Sequence, residues 1–233
     1  MKARIKFRKF GVMKFIGHLD VMRYFQKAIR RAEIPIAFSG GYSPHMIMSF
    51  ANPLGVGLTS DGEYFDIELT ESISSKSAVE KLNAQMVEGM EVLSFVEISD
   101  DKKSNGMSIV AGADYLSTVK TGVLPDNWKE LLEKFYAQEE IMIEKQTKKS
   151  VKEVNIRPMI HLLHAENDNS IYMRVSAGSV ENLKPDLVIE AFLTFCGLTD
   201  LTFTHHRLDT FANGGTDSEP VFVTLDSLGT EIM

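Results

Sequence analysis

The chain has 233 residues, 44% of them hydrophobic and 24% charged, with 25 Lys and Arg against 32 Asp and Glu, a formal charge of −7. That length suits one large domain or two of about 100 residues each, and no apolar run reaches the ~20 residues that a bilayer span needs. The single cysteine, Cys196 in FLTFCGL, excludes a resident iron–sulfur cluster and a cysteine-rich zinc site and reads as a buried thiol. No cofactor or metal is expected, and the expected compartment is the cytoplasm.

In chain order, Lys2 to Arg8 alternates, with Ala3, Ile5 and Phe7 on one face and Lys2, Arg4, Lys6 and Arg8 on the other, which predicts a strand with one buried face. From Gly17, the apolar residues Leu19, Met22, Phe25, Ile29 and Ala32 follow helical spacing, with Gly17 as N-cap and Pro35 as a stop. Glu63 to Leu69 alternates again. Ser77 with Glu80 reads as a capping box ahead of Val79, Leu82 and Met86, and Val92 to Ile98 closes a first unit. Strand, helix, strand, strand, helix, strand is the split βαβ pattern of a ferredoxin-like sandwich. After the polar joint Ser99 to Gly106, the pattern recurs: a strand over Tyr115 to Lys120 and a helix carrying Trp128, Leu131, Leu132 and Phe135 behind Pro125 and Asp126. Strands follow at Ile141 to Ile143, Val154 to Leu163 and Ile171 to Val175, then a helix ending at Gly197 and a strand from Leu201 to His205. The expected fold is α+β with two tandem ferredoxin-like units, residues 1–99 and 107–208, and a tail, 209–233, in which Val221 to Leu225 can add an edge strand.

Charge is unevenly spread. Residues 1 to 60 hold ten Lys and Arg against two acids, and residues 61 to 233 hold fifteen against thirty, a split that points to a polyanion-facing surface near the N-terminus. Three basic groups are candidates for phosphate contact: Arg4, Lys6 and Arg8 on the first strand, Arg23, Lys27, Arg30 and Arg31 along the first helix, and Lys145, Lys148, Lys149 and Arg157 in the second unit. For the strand, the competing reading is cross-strand neutralisation, with Asp66 and Glu68 opposite Arg4 and Lys6. The loop Gly40, Gly41, Tyr42, Ser43, Pro44, His45 lets backbone approach a ligand and presents an imidazole. Together with His18 it offers two histidines that can serve as acid and base in RNA cleavage, against the plainer reading of hydrogen-bonding struts. His161, His164, His205 and His206 have no ligand spacing and read as structural or exposed.

The stretch from Phe15 to Leu69 resembles a radical-SAM-associated family of unknown function, found as a stand-alone protein or as the C-terminal module of cobalamin-binding radical SAM proteins. The matching elements are His18-Leu19-Asp20, Arg23, Arg30-Arg31-Ala32, Pro35, Ser39, Gly41-Tyr42, Pro44-His45, Pro53-Leu54, Gly57, Ser60, Glu63-Tyr64 and Asp66, with Lys149 and Val154 to Pro158 downstream. Gly17, Met46 and Asn155 depart from its more usual serine, proline and acid. The resemblance implies a cobalamin-binding radical SAM partner, and the expected function is a non-catalytic accessory module that presents RNA or a ribonucleoprotein to it. The alternatives are a metal-independent endoribonuclease using His18 and His45, after the fold-level likeness to repeat-processing CRISPR endoribonucleases, and a protein-docking adaptor without RNA affinity.

Overall fold

The structure is a computed structural model that describes residues 1–146, 151–216 and 219–233. It is mixed α+β, with five α-helices among the described residues and antiparallel strand pairing. The chain divides into two units, residues 1–112 with 207–233 and residues 113–206.

The first unit contains β1 (Lys2–Lys9), α1 (His18–Arg31), β2 (Met48–Phe50), β3 (Thr59–Glu68), α2 (Ser75–Asn83), β4 (Met90–Ile98) and the short α3 (Gly106–Ile109). The chain leaves this unit along β5 (Val110–Thr121), re-enters it along β10 (Thr202–Asn213) and ends with β11 (Phe222–Thr224). The strand order within the unit is β4-β1-β3-β10, with β2 on β3 and β11 on β10. Alternation along β1 puts Ala3, Ile5 and Phe7 against Phe25 and Ile29 of α1, with Phe65, Ile67, Leu82 and Phe95 filling the same core. Phe25 is the centre of an aromatic cluster, 4.6 Å from Phe7 and 4.7 Å from Phe65 between ring centroids, where edge and tilted contacts add to burial.

Gly17 is the N-cap of α1, and the helix ends at Arg31, two residues before Glu33 turns left-handed at φ 53°. The cap of α2 lies three residues ahead of the expected box: Ser74 Oγ accepts the Ser77 N–H at 3.3 Å, and Ser77 lies inside the helix. Residues 225 to 232 lie against β1, β3 and β4. Leu225 is fully buried, Thr230 exchanges backbone hydrogen bonds with Glu97, and the Ile232 carbonyl accepts from Ser75 N–H.

The second unit holds the rest of β5, α4 (Trp128–Tyr136), β6 (Met142–Gln146), β7 (Val151–Asn155), β8 (Ile160–Ala165), β9 (Ser170–Ser176), α5 (Pro185–Cys196) and the start of β10. Its order is β10-β5-β9-β8, and β6 with β7 forms a separate hairpin. The single strand expected over Val154 to Leu163 is two strands, because Pro158, with no N–H for a ladder, sits in a 3₁₀ turn over Arg157–Met159. α5 stops at Gly197, whose φ of 68° suits a residue without Cβ, and Phe135 packs on Phe192 with centroids 5.6 Å apart. No helix among the described residues is long and apolar enough to cross a membrane.

Candidate functional site

The basic row on β1 is paired with carboxylates, Arg4 and Lys6 within the fold and Arg8 at its partly exposed end. Arg4, 1% exposed, makes a bidentate pair with Asp66 at 2.7 and 2.9 Å, and donates to the carbonyls of Leu225 (3.0 Å) and Ser104 (2.7 Å). Asp66 also accepts the Gly106 N–H at 2.7 Å. Lys6 stands opposite Tyr64 in the ladder, so its partner is Asp209 at 2.6 Å rather than Glu68. Tyr64 donates to the same Asp209 (2.7 Å) and reaches Asp226 (3.2 Å), and burial together with these carboxylates pushes its phenol far up. Arg8 pairs with Asp61 at 2.9 Å and sits at 3.4 Å from Glu91. The expected open basic strand face is therefore corrected: residues 225 and 226 lie across it, Asp209 on β10 reaches it, and Arg4 presents no surface to a phosphate. The close approach of β10 depends on Gly62, where a Cβ would collide with the Asp209 backbone.

Helix α1 is the opposite case. Val21, Phe25, Ala28 and Ile29 face the core, while Arg23, Lys27, Arg30 and Arg31 are all exposed. Asp20 lies 3.6 Å from Arg23, both side chains about two-thirds exposed, and Arg31 makes only a 3.5 Å contact with the Gln85 carbonyl. Among the described residues, no carboxylate lies within ion-pair distance of Lys27, Arg30 or Arg31. A surface pair such as Asp20 with Arg23 is worth at most about 1 kcal/mol, so the stripe keeps its charge available.

In the loop, Ser39 Oγ accepts His45 N–H at 3.1 Å and meets His45 Nδ1 at 2.8 Å. Gly41, at φ 96°, turns the chain so that Gly40, Tyr42, Pro44 and His45 are exposed. His18 has other surroundings. It is half-buried, edge-on to Phe50 at 5.0 Å, and burial holds its imidazole below the ordinary range. No hydrogen bond or ring contact joins His18 to His45 among the described residues.

In the second unit, Lys148, Lys149 and the side chain of Lys145 lie outside the described residues. Arg157 is not a free cation: it stacks on Tyr136 at 4.1 Å and donates to the carbonyls of Tyr136 (2.9 Å) and Ile160 (3.2 Å). Asn155 Oδ1 accepts the N–H of both Ile141 and Arg157 at 3.0 Å, a double acceptance that a carboxylate oxygen can also make. Ser117, His205 and Asp186 form a chain, with Ser117 Oγ 2.8 Å from Nδ1 and Asp186 3.1 Å from Nε2. Ser117 is fully buried, so this chain ties the first turn of α5 to the strands and offers no nucleophile to solvent. Burial pushes the Cys196 thiol up, away from the reactive thiolate.

Sequence reasoning missed one buried polar cluster. Arg207 donates to Glu63 (2.8 Å) and to the Asn52 carbonyl (2.7 Å), and Lys9, 2% exposed, reaches the Ile16 carbonyl at 3.2 Å. Burial pushes the Glu63 carboxyl up, opposed by Arg207 and Lys9, and pushes the Lys9 ammonium down, opposed by Glu63 and reinforced by the Arg207 charge. A cleft of about 10 Å³ beside Lys9, His18 and Glu63 has the room of a single water. The signal was present: extending the β1 alternation by one residue puts Lys9 on the core side with Phe7.

The family model described as "Uncharacterized protein conserved in bacteria (DUF2344)" matches residues 2–185. Its description names no reaction and no partner. No curated protein matches the sequence. Among solved structures, a chain of "Crystal Structure of a Cbf5-Nop10-Gar1 Complex" aligns at 12% identity with a TM-score of 0.46, over 89% of this chain and 48% of that one. This chain thus spans about half the length of that one.

Proposed function

We propose that this chain, which belongs to the bacterial family DUF2344, is a non-catalytic binding module that holds RNA on the exposed face of α1. The observation that carries the reading is the row Arg23, Lys27, Arg30 and Arg31, solvent-facing and nearly free of carboxylates, as a phosphate-tracking surface requires. The expected setting is the cytoplasm, and the expected recipient of the RNA is a cobalamin-binding radical SAM protein, on the strength of the motif from His18 to Asp66. The first unit supports a ferredoxin-like reading, because β1, α1, β2, β3, α2 and β4 follow in chain order and β4-β1-β3 are neighbours with β2 beyond β3. The two histidines lend no support to a nuclease, since each is engaged in its own surroundings.

The test is RNA affinity of the full chain, measured by fluorescence anisotropy between about 50 and 300 mM KCl. Three to four phosphate contacts to a single strand predict a slope of log K against log salt of roughly −2 to −3. The double reversal R23E/K27E should lower affinity about tenfold or more at low salt. Affinity that ignores salt, or that survives the double reversal, overturns the reading.

A further inference from the structure

The cationic row does not begin at a polar edge. The 3₁₀ turn Gly11–Phe15 buries none of its residues, and Val12 (74% exposed), Phe15 (67%), Leu19 (59%) and Val56 (60%) leave an uncovered apolar patch at the start of α1. The segments that carry them meet: Gly57 N–H donates to the Lys14 carbonyl at 2.8 Å, and Val56 lies 3.9 Å from the Cβ position of Gly17. Leu19, Arg23, Lys27 and Arg30 then follow at i, i+4, i+8 and i+11, so the patch runs into the cations along one helix stripe. Lys14 Nζ sits 5.2 Å from the Phe15 ring centroid, placing positive charge at the aromatic itself.

An apolar patch alone fits many proteins. Its continuation into unneutralised cations fits a polyanion that also carries flat apolar faces. Resting on the RNA reading above, we infer that the module selects single-stranded RNA, an unpaired base stacking on Phe15 while the following phosphates track Arg23, Lys27 and Arg30. A duplex keeps its bases stacked inside and can use only the cations.

The experiment compares the full chain with an oligouridine single strand and with an RNA duplex of equal length at one salt concentration, for the wild type, F15A, F15W and R23E/K27E. The single strand should bind about tenfold or more tightly than the duplex. F15A should lose roughly tenfold on the single strand and nothing on the duplex, F15W should retain the preference, and R23E/K27E should weaken both ligands. Equal affinity for both RNAs, or F15A without effect on the single strand, overturns the inference and leaves the α1 reading standing. No RNA affinity at low salt removes the α1 reading and the inference with it.

Discussion

Strand β1 and helix α1 carry basic rows of similar density, and the fold treats them in opposite ways. β1 lies between β3 and β4, with the helix layer on one face and residues 225 and 226 against the other. A cation there loses its water, so it must be paired or held neutral. Arg4 has Asp66, Lys6 has Asp209, Arg8 has Asp61, and Lys9 is pushed toward its neutral form. A surface helix buries one stripe and leaves the other wet, so α1 needs no such partners. The comparison teaches that a count of like charges reports a binding surface only after the layer position of each is known. It also shows a use for part of the acidic remainder: Asp66, Asp209 and Asp61 neutralise β1.

The largest effect expected from this contrast is on Asp66. D66A strands the Arg4 guanidinium in the interior and should cost about 3–5 kcal/mol in urea unfolding; a loss under 1 kcal/mol would break the distinction between the two rows. D209N removes the charge that Lys6 pairs with and turns the oxygen facing Lys6 into an NH2 donor, while the remaining amide oxygen can still accept from Tyr64, and should cost about 1–3 kcal/mol by the same measurement. A smaller effect concerns His18, the residue that joins α1 to the buried cluster. Burial sets its folded pKa below the unfolded value of about 6.5. Between the two values the unfolded chain holds the extra proton, so stability falls as pH drops through that window. Melting temperatures from about pH 7.5 to 5 should decline less steeply in H18Q than in the wild type. The smallest effects belong to α1: R23A, K27A and R30A should each stay within about 0.5 kcal/mol of wild-type stability while weakening RNA, the inverse of D66A and D209N.

Periodicity made β1, α1, α4 and α5 legible, because each has a clean apolar stripe and a local stop or cap. The α2 cap was misplaced because Ser74 and Ser77 both fit an N-cap, and the choice is made by where the chain leaves β3. The full reach of β10 to Asn213 was hidden, since Asp209 reads as a loop residue until Lys6, Tyr64 and Gly62 are brought beside it. For the same reason the α1 stripe could be read from spacing, whereas the pairing of Lys6 could not: one depends on neighbours four residues away, the other on a carboxylate 203 residues away.

The segment from Leu225 to Ile232, laid against the first strands of the chain, has a consequence for synthesis. A nascent polypeptide emerging from the ribosome has Asp66 early for Arg4, but displays Lys6 and Tyr64 long before Asp209 and Asp226 exist to receive them. Fragments that stop short of residue 207 would keep Asp66 beside Arg4 and Asp61 beside Arg8 but leave Lys6 without its carboxylates on an uncovered strand face, and nucleic-acid adhesion by such a fragment would report the missing segment rather than a native property.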